Sequence, residues 1–192
     1  MTDKATLRLL IETPWITFVL YWIAGAIKTR ANREKESAAS RIAILAIEGT
    51  GYVLIFSGSA GIGLLGTQFM PRTLASAGLG VVFTWSGIGL AIWARYHLAQ
   101  YWSARITIKE DHQLIRTGPY AHLRHPIYSG LVLATIGSAL VIDEWRCVLG
   151  VCLVLTGYWI KGRKEEAMLG QQFGDAFREH QKHTGFLIPR FR

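Results

Sequence analysis

Five apolar runs separated by polar connectors, at residues 14–27, 42–69, 74–94, 127–142 and 145–160, limit what this chain can fold into more than any other feature. A helix needs about 20 predominantly apolar residues to cross a bilayer's hydrocarbon core. Backbone in lipid must also satisfy its own hydrogen bonds, so each run predicts a helix. The run 42–69 spans with length to spare, which permits tilt or a bend at its glycines. The run 14–27 is extended upstream or tilted. Ala24-Gly25-Ala26 imitates a signal-peptidase site, but the bulky aromatics Trp15, Tyr21 and Trp22 favour a retained helix. The last two runs, joined only by Asp143-Glu144, read as a tight helical hairpin. Composition agrees: 51% of the residues are hydrophobic and 18% charged, against roughly 25% charged in soluble domains. Seven tryptophans and seven tyrosines suit bilayer interfaces.

The net charge of +8 does not point to nucleic acid, because no basic face interleaves with polar structure. Instead the cations sort by side. The connector 28–41 carries five Lys and Arg, the stretch 95–125 five and the tail seven, against four on the other side. This positive-inside asymmetry places 28–41, 95–125 and the tail in the cytoplasm and the N-terminus outside. Cys147 and Cys152, five apart with no nearby histidine or acid, are packing residues, and no metal site is expected. The segment "GIGLLG" (Gly61, Gly63, Gly66) matches the dinucleotide fingerprint in letters. It lacks the strand before it and the acid about 20 residues on, and Ser57, Ser59, Gly61 and Gly63 are expected to let helices approach closely. Glu48 lies two turns inside a span, where an acid is a functional candidate. Pairing with Arg95 is the structural alternative.

The stretch "RTGPYAHLRHPIYSG" at 116–130 stands at the threshold of the fourth run. Pro126 suits the first position of a helix. An exposed helix start there would turn free N–H groups and the positive dipole end toward an anion. Tyr120 and Tyr128 offer ring faces to a cation. Gly118-Pro119 favours a turn that folds 112–120 back over the helix start. The chemistry is that of a pocket for a zwitterionic, aromatic-bearing small molecule. An interfacial collar of Arg, His and Tyr explains the residue types equally well. In the tail, Leu169, Phe173, Ala176 and Phe177 form an apolar stripe, broken at Gly174-Asp175, that is expected to dock on the bundle or close the pocket.

"RHPIY" at 124–128, with "HQLIRTGPY" before it and "KGRKEE", "QFGDAF" and "TGFLIP" after it, resembles the isoprenylcysteine carboxyl methyltransferase family and the related phospholipid methyltransferases. The resemblance runs from about Trp102 onward. With the apolar runs, the expectation is an all-α integral membrane protein of about five transmembrane helices, whose three N-terminal spans in 1–98 match the family only in being membrane helices. Residues 99–192 would form a cytoplasmic cofactor-binding catalytic region with the two-helix hairpin and a C-terminal helix. The resemblance implies S-adenosyl-L-methionine as methyl donor, contacted by Arg105, His112, Gln113, Leu114, Ile115, Tyr120, His125, Pro126, Ile127 and Tyr128. Glu165 would face the donor from the far side. Lys161 stands where the family has a substrate-contacting arginine, with Arg163 beside it, so Lys161 and Glu165 are the implied catalytic pair. The implied acceptor is a prenylcysteine-like carboxylate from the bilayer. A carboxylate is ionised at neutral pH and needs only positioning by cations, which Lys161, Arg163 and Lys164 supply. A lipid amine acceptor, an NADPH-dependent sterol-reductase relative and a non-enzymatic transport or assembly protein are the alternatives.

Overall fold

The computed structural model describes residues 4–26, 32–35, 37–98, 107–109 and 114–191. All five apolar runs are helices: α1 (Lys4–Ala26), α2 (Ala38–Phe56), α3 (Leu74–Leu98), α4 (Pro126–Ile142) and α5 (Trp145–Phe173). A short α6 (Asp175–His183) follows. To the expected helices the structure adds a two-stranded antiparallel ribbon of β1 (Asn32–Lys35) and β2 (Thr107–Lys109). α1, α2 and α3 are long and apolar enough to cross a membrane, and α4 is a shorter apolar helix. α5 begins apolar and runs on for three polar turns beyond Ile160.

The second run does not continue to residue 69. α2 stops at Phe56, and residues 58–66 form two 3-10 turns. The cause lies ninety residues away. Arg146, buried at the start of α5, donates through Nη1 to the carbonyls of Leu54, Ile55 and Ser57 at 2.5, 2.8 and 2.9 Å. These are the orphan acceptors of a helix C-terminus, and the cation also complements the negative end of the dipole. "GIGLLG" is therefore a connector and not a helix-packing stripe.

Close helix approach is made by other glycines, spaced seven apart so that they recur on one face. On α3 and α4, Gly87 opposes Gly130 and Gly80 opposes Gly137. A Cβ built on Gly80 would lie 2.7 Å from the Gly137 carbonyl oxygen, and one on Gly137 2.5 Å from the Gly80 carbonyl. On α2 and α5, Gly51 opposes Gly150, where a Cβ would meet the opposite carbonyl at 2.7–2.8 Å. These approaches define two antiparallel pairs, α3 with α4 and α2 with α5, and the pairs meet each other less extensively. α1 lies across them. Its Trp15 Nε1 donates to Ser138 Oγ at 3.0 Å, its Leu10 carbonyl accepts from Trp85 Nε1 at 3.0 Å, and its Gly25 carbonyl accepts from Arg95 Nη2 at 2.8 Å.

The α4–α5 hairpin turns at Asp143, which takes a left-handed conformation (φ 59°). Its buried carboxylate accepts from Gln68 Nε2 and the Met70 N–H at 3.0 and 3.2 Å, locking the α2–α3 connector onto the turn. That end of the bundle also holds the start of α1. At the opposite end, Lys164 Nζ reaches Ser40 Oγ (2.5 Å) at the start of α2. The motif, the polar half of α5, α6 and the tail gather there.

Candidate active site

Pro126 opens α4, as expected of its missing N–H. The expected exposed helix start is not found. His125, Pro126, Ile127 and Tyr128 are all buried, because the strip 184–187 folds across them. The N–H groups of Arg124 and His125 donate to the Gly185 and Phe186 carbonyls at 2.9 and 3.3 Å, and Ser129 Oγ donates to the Leu187 carbonyl at 2.8 Å. Arg124 clamps the strip further, reaching the Thr184 carbonyl and Glu166 with its guanidinium. "TGFLIP" thus closes the motif by backbone bonding, which its sequence does not disclose.

His125 stands between two adjacent acids of α5. Its Nδ1 is 3.4 Å from Glu165 Oε2, and its Nε2 is 3.4 Å from Glu166 Oε1. Tyr128, one turn along α4, donates its hydroxyl to Glu165 Oε1 at 2.5 Å. The rings form a column: Phe186 meets His125 edge-on at 4.8 Å, His125 stacks on Tyr128 at 5.4 Å, and Tyr128 stacks on Tyr158 at 4.9 Å. Gly162 makes room for the first contact, since a Cβ there would be 2.8 Å from Phe186 Cζ. Tyr158 hydroxyl lies 3.1 Å from that of Tyr52 on α2, which carries the polar line into the bundle.

The electrostatics follow from this packing. Burial pushes the His125 pKa down, but the hydrogen bonds and charges of Glu165 and Glu166 outweigh it and the net shift is upward. Burial pushes both acids up, and the partners win again. His125, Lys161 and Tyr128 hold Glu165 below the ordinary carboxylate range, as His125 and Arg124 hold Glu166. Glu165 is thus kept as a half-buried anion at the Tyr128 hydroxyl, an arrangement that suits a cation. On α6, burial, then Arg116, Arg124 and His183, push the His180 pKa down to about 4.

Of the residues expected in the site, His125, Tyr128, Glu165 and Lys161 come together, with Lys161 Nζ 5.2 Å from the Tyr128 ring centroid. Tyr120 is buried in the core beside α3 and within reach of the Glu165 charge. Ile115 packs against the same core and Leu114 is half-buried beside it in sequence. Arg163 does not join them. Two positions past Lys161, it is exposed, lies 5.9 Å from the Trp159 ring and reaches Glu166 at 3.8 Å. Lys164 likewise turns away, to α2. Arg105, His112 and Gln113 lie outside the described residues. Sequence reading missed Glu166, Arg124, Phe186 and Tyr158 as site residues. The adjacent acids "EE" and the arginine of "RHPIY" were the available signals for the first two. Among the described residues, no group of three or more metal-ligating side chains occurs.

Comparison with known proteins bears out the resemblance read from the motif. The model of the isoprenylcysteine carboxyl methyltransferase (ICMT) family matches residues 79–171. Protein-S-isoprenylcysteine O-methyltransferase of Schizosaccharomyces pombe is 32% identical over 81 residues, which is 42% of this chain and 34% of that protein. Probable protein-S-isoprenylcysteine O-methyltransferase of Oryza sativa subsp. indica is 32% identical over 86 residues, 44% of this chain and 45% of that protein. The matches thus span less than half the length of these relatives. Among solved structures, the eukaryotic intramembrane Ras methyltransferase ICMT superposes with a TM-score of 0.52 at 22% identity, over 82% of this chain and 54% of that one. That likeness establishes the fold, an integral membrane helical protein.

Proposed function

We propose that this protein transfers a methyl group from S-adenosyl-L-methionine to the carboxylate of a prenylcysteine-like lipid that reaches the site from the bilayer. The observation that carries the reading is Glu165, a half-buried ionised acid held by His125 and Tyr128 on the stretch that matches the methyltransferase family. A bound donor supplies an electrophilic methyl group on a sulfonium, and the residues present fit its cationic part. Glu165 offers the charge, Tyr120 an aromatic ring, and Leu114, Ile115, Pro126 and Ile127 offer apolar lining. His125 and Tyr128 hold Glu165 in place, and Glu166 holds His125 from its other nitrogen. Lys161, the cation that faces Tyr128, is the residue to hold the acceptor's carboxylate.

In-line displacement on a sulfonium needs alignment more than proton transfer, and alignment is what a packed ring column provides. Sorting of the Lys and Arg residues to the site's end of the bundle supports a cytoplasmic site with the N-terminus outside. Partners are then membrane lipid and the prenylated acceptor, with neither nucleic acid nor metal.

Calorimetry of the purified protein with S-adenosylhomocysteine and, separately, NADPH tests the donor. Binding of NADPH alone overturns the reading in favour of a reductase. Rates with a prenylcysteine analogue and a lipid amine across pH test the acceptor. A carboxylate acceptor gives a rate flat through mildly acidic pH, whereas an amine, with a pKa near about 10.4, gives one that climbs with pH.

A further inference from the structure

Glu48 takes no part in the site as described above, yet it occupies the middle of α2, is buried, and faces α5. Its side chain fits against Gly157, where a Cβ would lie 2.5 Å from Glu48 Cγ. At this level of the α2–α5 pair the glycine faces an acid instead of a second glycine. An acid at such depth in a membrane helix is costly and marks a functional position. On α5, Gly157, Lys161 and Glu165 recur every four residues, so they share one face at steps of about 6 Å. Glu48 therefore stands at the deep end of the line that Lys161 and Glu165 continue to the aqueous end. Tyr52, one turn on along α2, joins hydroxyls with Tyr158 (3.1 Å), and Tyr52, Tyr128 and Tyr158 all lie within range of the Glu48 charge. The deep end of the site thus presents a carboxylate beside two hydroxyls, while the next step up presents an ammonium.

We infer that Glu48 is a specificity-determining residue that accepts a hydrogen bond from an N–H of the methyl acceptor, next to the carboxylate held by Lys161. The carboxyl oxygens of Glu48 are hydrogen-bond acceptors, so an N–H complements them. An amino-acid-like acceptor carries an N–H and a carboxylate on one carbon, and Lys161 and Glu48 present the opposite pair in that order. The inference rests on the carboxyl-methylation reading.

The test compares two acceptors, N-acetyl-S-farnesylcysteine and S-farnesyl-3-mercaptopropionate, which differ in the presence of the N-acyl amide. Wild type, Glu48→Gln and Glu48→Leu are assayed for kcat and KM, with S-adenosylhomocysteine affinity measured in parallel. Wild type is expected to prefer the amide acceptor. Glu48→Leu is expected to lose about tenfold in kcat/KM for that acceptor, chiefly through KM, a change equal to about 1.4 kcal/mol. It should lose less than twofold for the acceptor lacking the N–H, and Glu48→Gln should fall between. Unchanged preference in a variant that still binds S-adenosylhomocysteine overturns the inference, as does equal loss with both acceptors. Glu48→Gln, nearly isosteric, decides the matter if Glu48→Leu does not fold. A wild type that binds S-adenosylhomocysteine but methylates neither acceptor instead removes the carboxyl-methylation reading itself.

Discussion

The two helix pairs solve the same packing problem with different materials. Between α3 and α4 the contact is glycine on glycine at both levels, Gly80 with Gly137 and Gly87 with Gly130, and the neighbours are backbone atoms and small side chains. Thr84 sits wholly buried in this seam and donates to the Gly80 carbonyl of its own helix. The α2–α5 pair has one such level, Gly51 with Gly150, and then departs from the pattern. Its second level sets Gly157 against Glu48, and beyond it come the Tyr52–Tyr158 hydroxyls and the polar stripe to Glu165. Backbone pressed to backbone leaves no volume for a ligand and no freedom to adjust. A glycine facing a long side chain leaves that side chain some freedom to shift. The first pair is scaffold, and the second carries the proposed site on one of its faces.

Substitutions that widen each seam should therefore have unequal results. Gly87→Val forces a branched side chain into the Gly130 carbonyl and the Ala134 backbone, neither of which can turn aside. Loss of about 3 kcal/mol or more is expected, seen as failure to yield monodisperse protein in detergent and as lost S-adenosylhomocysteine binding. Glu165→Gln touches only the chemical face. It should lower the melting temperature far less than Gly87→Val does, through the weakened His125 pairing, while weakening S-adenosylhomocysteine by about 2 kcal/mol in calorimetry, the scale of a charge-assisted hydrogen bond. Gly157→Ala meets a side chain that can shift, and should cost about 1 kcal/mol of stability with the fold retained. A collapse as severe as that of Gly87→Val would erase the contrast between the pairs.

Two smaller effects sharpen it. The raised pKa of His125 means that its pairing with Glu165 and Glu166 stabilises the fold in full below the ordinary histidine value of 6.5. That contribution is lost as pH rises through the higher folded value. Wild-type melting temperature should decline as pH rises above 6.5 more steeply than that of His125→Gln. Arg163→Ala removes an exposed cation and should change stability by no more than about 0.5 kcal/mol. It should also leave the acceptor's KM alone, whereas Lys161→Ala raises it and Lys161→Arg retains activity. Equal effects at 161 and 163 would put the substrate on both faces of α5.

The helices were legible because hydrophobic run length is a local property, and so was the hairpin at Asp143-Glu144. The end of α2 was not. Residues 57–66 carry no charge, so their four glycines signalled only a bend, and the stop is secured by Arg146, which no local pattern links to Leu54 or Ser57. In the site, "RHPIY" gave His125 and Tyr128, and the acids following Lys161 gave Glu165. Burial of the α4 start was hidden because the covering groups are main-chain carbonyls of residues 185–187, and main chain leaves no mark in a sequence. Helical spacing alone shows why Arg163 could not join Lys161. Two positions on an α-helix differ by about 200°, so the pair points to opposite sides.

The strip 184–187 also sets an order in time. The start of α4 leaves the ribosome some sixty residues before the carbonyls that satisfy the Arg124 and His125 N–H groups. At roughly 5–20 residues per second, those groups wait several seconds without their partners. Through that interval the helices can insert and the glycine seams can close, but Arg124 lacks the Thr184 carbonyl and His125 lacks the Phe186 edge. The scaffold can thus form before the proposed site is covered, and that site reaches its native form only once residue 187 has been made.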